Sequence, residues 1–385
     1  MTLRVWIRRL IPPLVRHKIY RTGVAIAFFV ANLPRWLHIA IGPTFPNKDA
    51  QIFYGHDRLP KLNESASGGI VKFQRLQPDF PNTPRRFNIL YLVSSRLPAD
   101  AEQLLWLARC KGAKFLWNQN GVAYAAYDPN WQRTNRPMAQ LLHAADYVFY
   151  QSAFCKRSAD QFLGLRDRNW EILYNAVDTS AFTPATVDPD PQCLILLLGG
   201  SQYQFYRLET ALRTLAILVT QHLNACLLVT GRLCWNADEV QARSTAEDLI
   251  QKLGLCDRVT FLGPYSQTEA PAVLQRSHIL LHTKYNDPCP GLVVEAMACG
   301  LPVVYSCSGG VPELVGTDAG VGIPAELSWG KDCPPDPNAL AEAVLQVAAQ
   351  RKMYAEAART RAVEKFDIQP WIERHRQVFS QLLAQ

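Results

Sequence analysis

Short apolar segments recur along the chain in two series, and a proline-rich linker separates one series from the other. Stretches with helical spacing of apolar residues, such as Thr210–Thr220 and Asn338–Ala349, fill the gaps between the segments. Strands that alternate with helices form parallel sheets covered on both faces, so the pattern predicts an α/β protein with two Rossmann-like domains. The first series comprises Gln51–Tyr54, Phe87–Val93, Lys114–Trp117, Tyr147–Tyr150 and Glu171–Leu173, and the second comprises Cys193–Leu198, Ala225–Thr230, Arg258–Leu262, His278–His282 and Pro302–Tyr305.

The linker, Thr183–Gln192, sets the predicted domain boundaries. A final helix is expected at Pro370–Leu383, because proline suits the first helical position and the apolar residues that follow share one face. Neither domain carries the G-x-G-x-x-G fingerprint, which counts against a nicotinamide enzyme. The sequence therefore predicts an N-terminal extension (residues 1–48), a first domain (49–185, joined by the C-terminal helix 370–385) and a second domain (186–369).

The net charge of +7 lies entirely in residues 1–50, which contain eight basic residues and one acidic residue. The rest of the chain is neutral, so no broad basic face for nucleic acid is expected. Apolar and aromatic residues alternate with the basic ones in residues 1–45, a composition that suits the surface of an anionic membrane. The alternative is a helix packed on the first domain with its basic side in solvent. Pro12, Pro13 and Pro34 are expected to interrupt any long helix there.

A membrane-spanning helix and a signal peptide are both poor fits to the N-terminus. Its longest uncharged run, Thr22–Pro34, has thirteen residues, whereas a span needs about 20. Arg35 and Trp36 follow the run where a signal peptide has small residues. The ten cysteines form no C-x-x-C pair and no zinc-like cluster, so we expect reduced cysteines and a cytoplasmic protein.

Small and polar residues follow the predicted strands in both domains. Ligands of open parallel sheets bind beyond the carboxyl ends of the strands, so this pattern predicts a binding cleft between two facing domains. The residues concerned are Gly68-Gly69, Ser94-Ser95, Asn118–Gly121, Gln151-Ser152 and Asn175 in the first domain, and Gly199–Ser201, Gly231-Arg232, Thr283-Lys284 and Ser306 in the second.

The segment 284–313 contains a short helix whose N-terminus is open to a ligand. Pro290 and Gly291 begin the helix, and no acidic or hydroxyl side chain caps it directly. The backbone N–H groups near Leu292 and Val293 can therefore bind an anion such as a diphosphate.

Glu295 is the only charged residue of this otherwise apolar helix. A helix that is apolar all round is buried, and a buried carboxylate needs hydrogen bonds, which vicinal sugar hydroxyls such as those of a ribose can donate. The alternative is a solvated or salt-bridged glutamate. Asp287, eight residues earlier, is either a second carboxylate of the site or an Asx-turn residue before Pro288. Glu313 opens the next helix, where a favourable interaction with the helix dipole alone would explain it.

These residues resemble the donor-binding signature of glycosyltransferase family 4, which comprises retaining enzymes of the GT-B fold. The signature is an acid, seven residues and a glutamate, here Asp287 and Glu295, followed by Ala-Met-Ala-Cys-Gly-Leu-Pro-Val-Val and then by Gly-Gly-Val-Pro-Glu. The resemblance covers roughly residues 50–385. Two weaker matches to motifs of the family are Tyr174–Asp178 with Phe182–Pro184, and the glycine pair Gly68-Gly69.

The resemblance implies that the second domain binds a nucleotide-sugar donor and that the first forms the acceptor side. Glu295 would hold the nucleotide ribose, and Asp287, where the family usually has Glu, would face the donor sugar. Backbone groups would approach the sugar and diphosphate at Gly291, Leu292, Val293, Gly199, Gly200, Gly68 and Gly69, with Glu313 as a further donor-binding candidate.

Two positions depart from the family pattern. Asn120 stands where the family often has a histidine after the third strand; it can hydrogen-bond a sugar hydroxyl but does not titrate near neutral pH. The family commonly has an Arg and a Lys after the first strand of the second domain, whereas Arg207 is the only cation in the corresponding segment here. Arg207 is therefore the candidate for stabilising the leaving diphosphate, with Lys284 and Arg232 as alternative partners.

The predicted function is a retaining glycosyltransferase that moves a sugar from a nucleoside-diphosphate sugar to a hydroxyl of a glycan or lipid-linked saccharide. We expect no cofactor and no metal ion, because no Asp-x-Asp motif lies near the cleft, and a location in the cytoplasm, peripheral on the inner face of the membrane. The alternatives are a sugar-nucleotide-binding protein without transferase activity and a GT-B-like epimerase or phosphorylase. A paired-carboxylate hydrolase is excluded, because Glu295 lies inside a buried helix rather than across a sugar.

Overall fold

The computed structural model of the chain describes residues 13–42, 49–66 and 68–385. Its first domain contains a sheet of five parallel strands in the spatial order β1-β2-β3-β4-β5. In chain order this part comprises α1 (Pro13–Ala40), β1 (Ile52–Phe53), α2 (Gly68–Leu76), β2 (Ile89–Val93), a 3₁₀ turn (Ser94–Arg96), α3 (Ala101–Cys110), β3 (Lys114–Gln119), α4 (Trp131–Ala144), β4 (Tyr147–Tyr150), α5 (Ala153–Phe162) and β5 (Trp170–Ile172).

The second domain contains six parallel strands in the order β11-β10-β9-β6-β7-β8. Helices cover the faces of both sheets, which confirms the expectation of two Rossmann-like domains. In chain order the elements from residue 194 onward are β6 (Leu194–Leu198), α6 (Phe205–Thr220), β7 (Ala225–Thr230), α7 (Glu239–Lys252), β8 (Val259–Gly263), α8 (Ala270–Leu274), β9 (Ile279–His282), α9 (Gly291–Ala298), β10 (Val303–Ser306), α10 (Val311–Val315), β11 (Gly320–Ile323), α11 (Pro337–Ala349), α12 (Arg351–Phe366) and, returning to the first domain, α13 (Ile368–Leu383).

Strand β11 at the sheet edge has no counterpart among the predicted apolar segments. Its sequence, Gly-Val-Gly-Ile, is too rich in glycine to form an apolar run. The glycine is needed for close packing, because a Cβ at Gly320 would lie 1.9 Å from the carbonyl oxygen of Val303 on β10. The glycines that allow β11 to pair with β10 are therefore also the reason why the sequence shows no apolar strand pattern there.

The last helix, α13, packs against the sheet of the first domain. Its buried residues Trp371 and Phe379 belong to the same apolar cluster as Ile52 and Tyr91 of β1 and β2. The helix begins at Ile368, two residues before the predicted start, because the side chain of Asp367 accepts a hydrogen bond from the backbone of Gln369.

His375 on α13 is fully buried between the helix and the sheet. Its Nδ1 lies 2.8 Å from the carbonyl oxygen of Trp371, and its Nε2 lies 3.1 Å from the hydroxyl of Tyr91. Burial lowers the pKa of His375 to about 3, so the ring is neutral at physiological pH.

Helix α1 runs unbroken from Pro13 to Ala40, so the expectation that prolines interrupt a long helix here is wrong. Pro12 lies outside the described residues. Pro13 occupies the first helical position, where a missing N–H group costs nothing. Pro34 removes the hydrogen bond to the carbonyl of Val30, but both residues are exposed, so water can solvate that carbonyl.

The C-terminal half of α1 packs on the first domain. Trp36 and Ile39 are buried, and the indole of Trp36 donates a 3.0 Å hydrogen bond to Asp100. Arg35 pairs with the same carboxylate and, at 3.0 Å, with Asp57. The outer side of the helix and the residue after it leave an apolar stripe in solvent, which consists of Ile26, Phe29, Val30, Leu33, Leu37 and Ile41.

The predicted extension, residues 1–48, is only partly covered, because residues 1–12 and 43–48 lie outside the described ranges. Among the helices that the structure does describe, none combines the length and the apolar character needed to cross a bilayer.

Candidate active site

A cleft of about 500 Å³ lies between the two domains and is lined by residues of both. It brings together most of the residues that the sequence predicted for the site. Those that line it are Gly68, Gly69, Asn120, Gly200, Lys284, Asp287, Gly291, Leu292 and Glu295, whereas Gly199, Arg207, Arg232, Val293 and Glu313 do not.

Helix α9 points its N-terminus into the cleft. Pro290 precedes the helix, and no side chain caps it. A Cβ added at Gly291 would meet no atom within 4 Å, so the first residue of the helix faces open space. Val293 is fully buried, and its N–H donates a 3.2 Å hydrogen bond to the carbonyl of Pro290. The amides that face the cleft are therefore those of Gly291 and Leu292.

Glu295, one turn further along α9, forms an ion pair across the cleft. Its Oε1 lies 2.5 Å from Nη2 of Arg75, which belongs to α2 of the first domain. Both side chains are buried, with 6% and 9% of their surface exposed. Arg75 also donates to the side-chain oxygen of Gln267 at 2.7 Å and to the carbonyl of Ala176. The salt-bridged alternative for Glu295 is thus present in the structure, with the carboxylate at the cleft surface.

Asp287 is buried in the loop before α9 and lies between two basic side chains. Lys284 Nζ is 3.1 Å from its Oδ1, and His282 Nε2 is 3.3 Å from its Oδ2. Burial alone would raise the pKa of Asp287, but the charge of Lys284 and the contact with His282 outweigh it and hold the pKa well below the usual range. Asp287 is therefore a carboxylate at neutral pH.

The loop that carries Asp287 is closely packed from the other side. The N–H of Gly310 donates a 2.9 Å hydrogen bond to the carbonyl of Asp287, and a Cβ at Gly309 would lie only 2.3 Å from the same oxygen. The glycine pair before α10 therefore leaves room for the loop, which explains why glycines are needed at this place in the chain.

Lys72 on α2 is a cleft residue that the sequence did not identify. It is 5% exposed, and its Nζ donates a 2.7 Å hydrogen bond to the side-chain oxygen of Asn118. Gln151 donates to the same oxygen at 2.6 Å. In the sequence, Lys72 and Arg75 are distinguished only by their spacing from the glycine pair. They follow Gly68, where α2 begins, by about one and two helical turns, and α2 forms part of the cleft wall.

Asn120 stands at the end of β3 with its side chain toward the cleft. Its backbone N–H donates a 2.9 Å hydrogen bond to Ser94. Its Oδ1 is buried and has no hydrogen-bond partner within the described part of the chain. Asn120 therefore brings an unused hydrogen-bond acceptor to the wall of the cleft.

Arg207 is buried behind the cleft instead of lining it. Its guanidinium donates to the carbonyl oxygens of Ser201 at 2.7 Å and Gly199 at 3.2 Å. A Cβ at Gly199 would lie 2.4 Å from a methyl carbon of Leu292, so this loop packs directly on α9. In this arrangement Arg207 holds the loop after β6 against the helix. Arg232 is exposed and outside the cleft lining.

Glu313 connects the two domains. Its carboxylate accepts hydrogen bonds from the backbone N–H groups of Ala153 at 2.7 Å and Phe154 at 2.8 Å, so it caps α5 of the first domain. Nearby, Ser152 donates to the carbonyl of Pro288 and Asn175 to that of Cys289, each at 2.7 Å. The loop before α9 is thus fastened to the first domain at several points.

The two parallel-sheet domains thus face a cleft that contains an uncapped helix N-terminus and a buried acid, an arrangement suited to an anionic ligand with hydroxyl groups. Comparison with known proteins identifies the family. Residues 189–362 match the model of glycosyl transferases group 1. The chain is 38% identical over 319 residues to a D-inositol 3-phosphate glycosyltransferase of Mycobacteroides abscessus, with 77% of this chain and 68% of that protein covered. The chain belongs to the group 1 glycosyltransferases.

More distant relatives agree with this assignment. The chain is 23% identical over 208 residues to the phosphatidylinositol N-acetylglucosaminyltransferase gpi3 subunit of Schizosaccharomyces pombe, a match that covers 54% of this chain and 44% of that protein. Matches to several other relatives span less than half of their length, as little as 33%. The structure of Anabaena Alr3699/HepE in complex with UDP-glucose has a TM-score of 0.61 at 18% identity, and covers 77% of this chain and 79% of that one. The GT-B fold expected from the sequence is confirmed.

Proposed function

We propose that this protein transfers a sugar from a nucleoside-diphosphate sugar to an acceptor hydroxyl. The observation that carries the proposal is the wall formed by α9, where two amides without a side-chain cap and two buried carboxylates face one cleft. This arrangement offers donors to a diphosphate and acceptors to sugar hydroxyls. The similarity to a D-inositol 3-phosphate glycosyltransferase and to the structure of HepE in complex with UDP-glucose supports the proposal.

We propose that the donor lies along α9 with its ribose against Glu295, its diphosphate at Gly291 and Leu292, and its sugar toward Asp287. In such a pose the ion pair between Arg75 and Glu295 is broken, because the ribose hydroxyls donate hydrogen bonds to the carboxylate in place of Arg75. Asn120, from the opposite domain, accepts a hydrogen bond from a hydroxyl of the sugar or the acceptor.

The reaction breaks the bond between the sugar carbon and the phosphate oxygen, and forms a bond between that carbon and the acceptor oxygen. Asp287 is a weak base because its pKa is held low, and Asn120 does not titrate. We therefore propose that the acceptor proton passes to an oxygen of the departing diphosphate, with attack on the same face of the sugar. The residues of the cleft position the donor and stabilise the charge of the leaving diphosphate, and no metal ion is needed for either task.

We propose that the acceptor is a glycan or a lipid-linked saccharide and that α1 holds the protein at an anionic membrane surface inside the cell. The apolar stripe from Ile26 to Ile41 is the supporting observation, because it is continuous and faces solvent. The basic residues of the first 50 positions supply the complementary charge. Such a helix lies in the membrane interface with its apolar side in contact with lipid.

Co-sedimentation with vesicles tests the membrane proposal. The full chain is expected to bind vesicles that contain anionic lipid at low salt and to dissociate as salt increases. The variant Phe29→Ser/Leu33→Ser/Leu37→Ser should lose binding, whereas a matched triple serine variant of the exposed residues Leu165, Val187 and Val240, far from α1 in the sequence, should keep it. Full-length protein that stays in the supernatant at low salt would contradict the proposal.

Product analysis tests the transfer proposal. The full chain is incubated with panels of nucleotide sugars and of glycan and inositol-containing acceptors, in the presence of EDTA, and products are examined by NMR. A new glycosidic bond with the anomeric configuration of the donor is expected. Donor binding without turnover would indicate a binding protein, and an epimerised sugar or a sugar phosphate would indicate an epimerase or a phosphorylase.

A further inference from the structure

Lys72 is a buried cation without a counter-ion in the part of the chain that the structure describes. Its ammonium group can donate three hydrogen bonds, and the partner it has is the neutral amide oxygen of Asn118. That oxygen also accepts from Gln151, so it is shared between two donors. A buried lysine normally has an acidic partner, because an unpaired charge is costly away from water.

The titratable groups around Lys72 do not supply a negative charge. Cys289 lies before α9, Cys155 is on α5, and His375 is on α13. Burial raises the pKa of both thiols, that of Cys289 to about 12, and lowers the pKa of His375 to about 3, so all three groups are neutral. Arg75, on the same helix as Lys72, adds a positive charge.

The surroundings of Lys72 open to the donor end of the cleft. Lys72 lines the same cavity as Gly291 and Leu292, at the N-terminus of α9. Cys289, which lies two residues before that N-terminus, lines the cavity as well. Arg207, the cation that follows β6, is bonded to loop carbonyls and does not line the cavity.

We propose that Lys72 is a diphosphate-binding residue, and that the donor diphosphate is the counter-ion its ammonium lacks. The first domain then supplies a cation to the leaving group, while the second domain supplies the amides of Gly291 and Leu292. This inference rests on the proposed function, since it requires a nucleoside diphosphate in the cleft.

A consequence of this role is that binding takes up a proton. Burial lowers the pKa of Lys72 to about 7, so at pH 8 most of the amine is neutral. A bound diphosphate favours the ammonium form and raises that pKa. Lys72 therefore becomes protonated when the ligand binds at pH 8, whereas at pH 6 it carries its proton beforehand and takes up none.

Calorimetric titration of the full chain with UDP and with uridine tests the proposal. Titrations at pH 8 in two buffers of different ionisation enthalpy should show uptake of about one proton with UDP. Lys72→Met should abolish that uptake and weaken UDP binding roughly ten- to a hundred-fold, while uridine binding stays unchanged. Lys72→Arg carries its charge at every pH and should therefore bind UDP without taking up a proton. This variant provides the test if Lys72→Met does not fold. The exposed Lys365→Met is the matched control and should behave as wild type.

Two results separate this inference from the proposed function. If the wild type binds none of UDP, GDP and ADP, the proposed function is contradicted and the role of Lys72 falls with it. If the wild type binds UDP but Lys72→Met shows the same affinity and the same proton uptake, only the role of Lys72 is wrong.

Discussion

The two walls of the cleft are built from different chemistry. On the second-domain wall, the loop and helix from Lys284 to Glu295 carry both carboxylates of the cleft, together with helix amides and one cation, Lys284. The first-domain wall carries the cations Lys72 and Arg75 and, among the described residues that line it, no acid. The ion pair between Arg75 and Glu295 joins the walls.

This difference indicates how the parts of a nucleotide sugar are divided between the domains. Hydroxyl groups match the carboxylates of the second wall, and the anionic diphosphate matches both the amides of that wall and the cations of the first. A binding site assembled in this way is complete only when the two domains are together. Ser152 and Asn175, which fasten the loop before α9 to the first domain, and Glu313, which caps α5, hold the domains in that relation.

The largest expected effect comes from breaking the ion pair that joins the walls. Arg75→Met leaves the carboxylate of Glu295 buried without its partner and should lower the free energy of unfolding by about 3–5 kcal/mol. The double variant Arg75→Met/Glu295→Gln should recover most of the loss, because no charge remains buried. Urea unfolding of the two variants measures both effects, and a single variant as stable as wild type would show that the pair does not join the walls.

Removing the other cation of the first wall should stabilise the protein. The pKa of Lys72 is lowered by burial, so the unfolded chain binds more protons than the native one between about pH 7 and pH 10. Through Lys72 alone, stability therefore rises with pH across this window, by up to about 1.4 kcal/mol per pH unit. Lys72→Met should be more stable than wild type, most clearly at pH 6, and the difference should shrink above pH 7. Urea unfolding at pH 6 and pH 9 measures the difference in the free energy of unfolding between Lys72→Met and the wild type. The same difference at both pH values would contradict this prediction.

On the second wall, Glu295→Gln should weaken donor binding. A lost charge-assisted hydrogen bond costs about 1.5–3 kcal/mol, or roughly ten- to a hundred-fold in affinity. Glu295→Gln also leaves Arg75 without its ion-pair partner. The donor affinity of the double variant Arg75→Met/Glu295→Gln is therefore measured as well, to separate this effect from the loss of the carboxylate. If calorimetry shows that Glu295→Gln binds a nucleotide sugar with nearly the affinity of the wild type, Glu295 does not bind the donor.

Behind the second wall, Arg207→Ala should act through the loop it holds. Losing the hydrogen bonds to Ser201 and Gly199 is expected to cost about 1–3 kcal/mol in stability and to weaken nucleosides and nucleoside diphosphates equally. If Arg207→Ala instead weakens the binding of nucleoside diphosphates and leaves that of nucleosides unchanged, Arg207 contacts the leaving diphosphate directly.

The part of the second wall from Lys284 to Glu295 could be predicted from the sequence because its residues are close in the chain. The spacing of Asp287, Gly291 and Glu295 is set by one loop and one helix, so local rules suffice. Most of the fold could be predicted for the same reason, since most strands and helices have an apolar pattern of their own. The glycine-rich edge strand β11 was missed because its close packing on Val303 leaves no apolar pattern.

The polar residues that follow the strands of the first wall were predicted, but its cations Lys72 and Arg75 and the contacts among its residues were not. Asn118, Gln151 and Asn175 are far apart in the sequence and come together because β3, β4 and β5 are neighbours in the sheet, and Lys72 reaches them from α2. The use of Arg207 for loop carbonyls and of Glu313 as a cap for a helix of the other domain also depends on tertiary contacts. Residue type and spacing identify a charged group, but they do not show which partner it has.

A crystal structure of the full chain in complex with UDP tests the central claim most directly. We expect the ribose hydroxyls to donate to Glu295, Arg75 to be released from that carboxylate, and the diphosphate to bond to the amides of Gly291 and Leu292 and to Lys72. UDP bound outside the cleft, or inside it with the Arg75–Glu295 ion pair intact and the diphosphate directed away from α9, would contradict the account.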